Sequence, residues 1–167
     1  ERRIEVQNPE DDHNEYYELG LQRMNRTLKT YKVDEEQLET LKSKNFNGKI
    51  LIITEPWCGD ASATVPAVSK FFEGHNEVRI FYRDSDTSLI DQFLTNGTQS
   101  IPKILILNED FSLKNVWGPR PQYGTELLKK FKENPETYPR EEFYNDLQVY
   151  YAKNKGKDAI QEILELL

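Results

Sequence analysis

The run Ile50-Leu-Ile-Ile-Thr54, closed two residues later by Pro56, constrains this chain more than any other stretch. A short apolar, β-branched run of this kind suits a strand covered on both faces. Pro56 ends it, and Cys58, the only cysteine in the sequence, falls where the next helix begins. A helix start carries unpaired N–H groups and a partial positive charge, which favour a thiolate over a thiol. The position suits a nucleophilic sulfur, yet no second cysteine is present to complete a redox pair.

Around this stretch the periodicity predicts an ordered succession of elements. Residues 1–12 are polar and read as a loose lead-in. Tyr16, Tyr17, Leu19, Leu21, Met24, Leu28 and Tyr31 recur at helical steps, and Gly20 weakens that helix without forbidding it. Asp34 and Gln37 have the spacing of a capping box for a second helix, which Asn47-Gly48 ends. After Cys58 a helix is expected over 61–72, bent at Pro66. Strands follow over 78–82, 101–107 and 111–117, with a short helix over 89–94 and another over 125–132. This order implies an α/β sandwich with a mixed sheet. Two further helical pieces, marked by Phe143, Leu147, Tyr150 and Tyr151 and by Ile160, Ile163, Leu164 and Leu167, are expected to pack back on the domain or on a second copy.

The 167 residues suit one domain with appended helices. A net charge of −7 without any basic run gives no electrostatic support to nucleic-acid binding. No apolar stretch approaches the roughly 20 residues needed to span a bilayer. One cysteine excludes an internal disulfide framework and a cysteine-rich zinc site. A cytoplasmic location is the simplest expectation; a start at Glu1 reads as a processed or trimmed boundary, and a removed leader would leave the same trace.

Trp57-Cys58-Gly59-Asp60-Ala61 resembles the thioredoxin active-site motif, in which tryptophan precedes Cys-X-X-Cys at a helix start. Pro66 matches the kinking proline of the thioredoxin helix, Ile101-Pro102 the Ile-Pro whose proline is cis and faces the sulfur, and Gly118 the groove-lining glycine of the last strand. No insertion or deletion separates these matches. The wording Glu-Pro-Trp-Cys-Gly-Asp-Ala is most similar to single-cysteine bacterial members of the thioredoxin family. The resemblance implies a thioredoxin-like three-layer sandwich over 1–167, with its core at about 45–132 and helical extensions at 13–45 and 134–167. It also implies substrate contacts at Trp57, Gly59, Asp60, Ile101, Pro102 and Gly118.

Two departures bear on activity. Ala61 stands where a thioredoxin has the cysteine that resolves the mixed disulfide, and alanine cannot attack a sulfur. Ile52 stands where thioredoxins have the buried acid that moves that cysteine's proton. The two losses are mutually consistent. Two readings therefore stand side by side. In one, Cys58 performs monothiol thiol–disulfide exchange, resolved by an external low-molecular-weight thiol, on a disulfide-containing protein or small disulfide. In the other, the groove by Pro102 binds an extended peptide without catalysis.

Each candidate has a plainer alternative. Asp60 opposes ionisation of Cys58 or serves only as a helix-start carboxylate. Glu55 is a candidate proton acceptor in place of the missing acid. Trp57 and Trp117 border a groove or merely pack. Arg120 attracts an anion or is a solvated loop residue. His13 and His75 lie outside every motif and read as surface residues. An iron–sulfur site of the monothiol-glutaredoxin kind needs Cys-Gly-Phe-Ser, whereas Asp60-Ala61 follow here, so neither a metal nor another cofactor is expected. The sequence does not fix the oligomeric state.

Overall fold

Alternation and burial along Ile50–Thr54 produce the expected central strand. The computed structural model describes residues 13–167, so the predicted lead-in at 1–12 lies outside the described residues. Strand β1 (Lys49–Thr54) pairs in parallel with β2 (Glu77–Tyr82) and antiparallel with β3 (Lys103–Leu107), and β3 pairs antiparallel with β4 (Leu113–Trp117). The sheet order is β2-β1-β3-β4. Ile52 lies between Ile80 and Ile104 in register, so the apolar run occupies the middle of a mixed sheet.

Helix α1 (Asn14–Thr30) precedes α2 (Glu35–Ser43), and both come before the sheet. The Asp34 carboxylate accepts the N–H groups of Glu36 and Gln37 and caps α2. Only half of the predicted capping box forms, because the Gln37 amide donates across the molecule to the Lys157 carbonyl instead. Helix α3 (Gly59–Phe72) connects β1 to β2, runs through Pro66, and is buried over nearly its whole length.

The helix expected over 89–94 is a single 3₁₀ turn, Ile90–Gln92; another 3₁₀ turn, Arg83–Ser85, falls in the polar run that closes β2. A six-residue segment gains too few ladder bonds to repay helix nucleation, so one side chain, the fully buried Ile90, anchors it. Strand β4 begins at Leu113, later than predicted, because Asn108–Ser112 forms a turn with Phe111 at positive φ.

Helices α4 (Gln122–Glu133), α5 (Arg140–Asn154) and α6 (Lys157–Leu166) complete the described chain. Left-handed Lys155 and Gly156 break α5 from α6. Ala159, Ile160, Ile163 and Leu164 of α6 are fully buried against the main core, so this helix packs back on the chain itself. A second cluster joins α5 to α3 through Tyr138, Phe143, Leu147 and Tyr151 around Ala63. Among the described residues no helix is long and apolar enough to cross a membrane.

Helix α1 lies across the loop that leads into α3. A Cβ on Gly20 would stand 2.3 Å from the Pro56 carbonyl oxygen, so only glycine allows this approach. Replacing a helical glycine with alanine ordinarily stabilises by about 0.5–1 kcal/mol. Here Gly20→Ala is expected to reverse that sign and destabilise by roughly 1–3 kcal/mol. Urea unfolding checks it through the transition midpoint.

Candidate functional site

Pro56 stops β1 and the chain turns so that Cys58 becomes the N-cap of α3. Its backbone N–H donates to the Glu55 carbonyl (3.2 Å), and its own carbonyl accepts from Ser62 (3.1 Å). The amide groups of Ala61 and Asp60 face the sulfur and favour the thiolate, as expected for a helix start. Opposite them lies the loop before β3, where the Ile101–Pro102 peptide is cis. The Cys58 thiol donates to the Ile101 carbonyl at 3.4 Å. Gly118, at φ +116, brings its backbone against Pro102, where a Cβ would meet the Pro102 oxygen at 2.3 Å. Cys58, Ile101, Pro102 and Gly118, far apart in sequence, thus share one corner of the fold.

Burial and charge in this corner favour the protonated thiol. Cys58 is 8% exposed. Burial pushes its pKa up to about 12, the Asp60 charge adds to that, and the Ala61 and Asp60 amides and Arg120 only partly counter it. The expectation of a helix-start thiolate is corrected for this form of the protein: loss of hydration outweighs the helix terminus.

Asp60 is bound on two sides. Arg120 donates to it twice, Nη2 to Oδ2 at 2.6 Å and Nε to Oδ1 at 3.2 Å. Tyr151 of α5 donates its hydroxyl to Oδ1 at 2.5 Å. The two charged side chains are only 11% and 16% exposed, so Arg120 is not the solvated loop residue of the plainer sequence reading. Burial works against the Arg120 charge, but the hydrogen bond and charge of Asp60 outweigh it and raise the Arg120 pKa. Burial first, then Asp60, holds Tyr151 well above the ordinary phenol range, so it remains a proton donor.

Other candidates take different places. The Glu55 carboxylate accepts the Asp84 N–H at 2.8 Å and is not among the groups that shift the Cys58 thiol. Through this contact the buried Glu55 side chain ties the loop before α3 to the turn after β2. Trp57 is sandwiched: His13 stacks on it with ring centres 3.9 Å apart, and Arg83 lies 5.1 Å from the ring centre. His13, predicted to be an uninvolved surface residue, therefore covers the motif tryptophan. Trp117 does not border the groove, because its indole N–H donates to Glu162 of α6 at 2.7 Å. Sequence reasoning missed Tyr151 as a site residue; in the sequence it carries only the signal of a helix core position.

A β-strand that runs into a helix headed by Trp-Cys, opposed by a cis-proline loop across a mixed sheet, defines a thioredoxin-like fold. The family model described as Thioredoxin matches residues 7–132, most of the chain, and the chain belongs to that family. The match begins well upstream of residue 45, so α1 and α2, read from sequence as an extension, fall within it. Among solved structures, an HIV epitope-scaffold is 18% identical with a TM-score of 0.64, over 90% of this chain and 83% of that one. The protein PA1234 of Pseudomonas aeruginosa, described as of unknown function, is 19% identical with a TM-score of 0.60, over 90% of this chain and 82% of that one. Both likenesses concern the fold alone. No curated protein matches the chain.

A pKa raised in the folded state means that the fold favours the protonated thiol. This contribution to stability is complete below the ordinary thiol pKa of about 8.5 and is lost as pH rises toward 12. Comparing the unfolding free energy of the wild type with that of Cys58→Ser between pH 8 and 11 isolates it. The wild type is expected to lose ground by up to about 1.4 kcal/mol per pH unit in that window. A constant difference between the two proteins would contradict the burial argument. Tyr31, raised by burial to about 12, contributes equally to both.

Proposed function

We propose that this thioredoxin-family protein is a monothiol exchange protein that stores its nucleophile as a buried, protonated thiol. The observation that carries this reading is the position of Cys58 between the α3 amides and the carbonyl preceding cis Pro102. In the first step the Cys58 thiolate attacks a disulfide R–S–S–R′. The S–S bond breaks, Cys58–S–S–R forms, and R′S⁻ leaves and takes up a proton. With Ala61 in place of a second cysteine, resolution falls to an external thiol. That thiolate attacks the R sulfur, expels the Cys58 thiolate and leaves a new disulfide. Across the two steps there is no net oxidation.

The raised pKa sets the pace. At pH 7 the thiolate population lies well below that of a free cysteine, and the greater basicity of the sulfur recovers only part of the loss. The resting protein is therefore less reactive than a free thiol. Useful exchange requires a partner that opens the corner and rehydrates the sulfur.

The same burial favours a second reading, a non-catalytic module that binds an extended segment along the loop at Ile101 and Pro102. One experiment separates the two. Wild type and Cys58→Ser are incubated with 2-hydroxyethyl disulfide across pH 6–10, and adducts are followed by intact mass. The monothiol reading expects a Cys58 adduct that forms slowly at pH 7 and faster in Asp60→Asn, which loses the carboxylate opposing ionisation. A native wild type that forms no adduct at any pH would leave only the binding module.

A further inference from the structure

Among the described residues, two arginines on α1 have no carboxylate paired with them. Arg23 is half-buried, and among the described residues its guanidinium has neither a carboxylate nor a hydrogen-bond acceptor. Burial first, then the neighbouring charge of Arg26, lowers its pKa. Arg26 lies one turn further along the same face and is likewise without a carboxylate. The chain has 29 acidic and 22 basic residues, so carboxylates are not scarce. Arg26 is exposed and hydrated, so the cost falls on Arg23, whose partly dehydrated charge lies beside a like charge with no carboxylate to offset it.

The two arginines face a cleft of about 570 Å³ between α1 and α5. Gln22 adds a side-chain amide from α1, and Asn145 and Gln148 add two more from α5, with the exposed side chains of Leu19 and Val149 at the cleft. One end of the cleft reaches the start of α3. A Cβ on Gly59 would lie 3.5 Å from Arg23 Nη1 and 3.5 Å from Gln148 Nε2. Gly59 is the residue next to Cys58. The unanswered donors thus stand beside Gly59, one residue from Cys58.

We propose that this cleft holds the carboxylates of a small acidic thiol, the co-substrate that resolves a mixed disulfide at Cys58. The identity of the co-substrate as a thiol rests on the monothiol reading above; the affinity of the cleft for carboxylates does not. Planar guanidinium forks match carboxylate geometry, and the amides supply further donors. A thiol of tripeptide size spans about 10 Å, enough to anchor its carboxylates on Arg23 and Arg26 while its sulfur reaches past Gly59. Its thiolate attacks the R sulfur of Cys58–S–S–R and expels the Cys58 thiolate, which regains a proton.

The test has two arms. In the first, wild-type Cys58 is loaded from 2-hydroxyethyl disulfide, and release is timed with glutathione and with glutathione diethyl ester, whose carboxylates are masked. Glutathione is expected to be faster by about tenfold at low salt, and Arg23→Gln and Arg26→Gln are expected to abolish that advantage. Arg23→Lys, which keeps the charge but not the fork, should retain part of it, and thermal midpoints verify that each variant is folded. Equal rates in the wild type, or an advantage that survives both substitutions, overturns the proposal. In the second arm, S-methylglutathione is titrated calorimetrically into Cys58→Ser with and without Arg23→Gln. Saturable binding weakened about tenfold by the substitution supports the cleft. Absence of binding, or equal competition by inorganic phosphate, overturns it. Should Cys58 refuse to load in the first arm, the monothiol reading fails alone, and the second arm still decides the cleft.

Discussion

A carboxylate withdrawn from water must find donors, and Asp60 finds them in two distant parts of the chain. Arg120 reaches it from the loop after β4, and Tyr151 from α5. Removing one member of such a buried pair strands the other, a loss of roughly 3–5 kcal/mol. The contact therefore fastens the C-terminal helices to the start of α3, and it does so two residues from Cys58. The carboxylate that organises this corner also adds to the burial that keeps its thiol protonated. Structural cohesion and nucleophilicity are opposed at a single residue.

The cover on the opposite side is built differently. Gly20 allows α1 to lie on the Pro56 carbonyl, Thr27 donates its hydroxyl to the Ser62 carbonyl at 3.2 Å, and His13 closes over Trp57. These are contacts of packing and neutral hydrogen bonding, each worth on the order of 1 kcal/mol. The α1 side is thus a wall of packing rather than of charge. It is also the wall that carries the unanswered arginines.

What could be read from the sequence was what local chemistry determines. The central strand, the helix start at Cys58, the Asp34 cap and the breaks at glycine each depend on a few neighbouring residues. Ile101-Pro102 and Gly118 were legible because their spacing from Cys58 matches a known family. Tyr151 lies 91 residues from Asp60, and His13 meets Trp57 from a helix before the sheet. Contacts of that kind leave no spacing signature. The state of the thiol was misjudged for a related reason: a sequence displays the helix terminus and the nearby charge, but not the exclusion of water. The helix expected over 89–94 is one 3₁₀ turn instead, because a propensity for turning does not distinguish a short α-helix from a 3₁₀ turn.

Ile52 and Ala61 are both fully buried, and this sets the terms for building a dithiol into the chain. An acid at 52 alone would be an unpaired carboxylate inside an apolar sheet. A cysteine at 61 would sit beside the first sulfur with no water around it, and would have to give up its proton in the same dry interior that holds Cys58 protonated. The two positions are therefore one problem of hydration rather than two missing side chains.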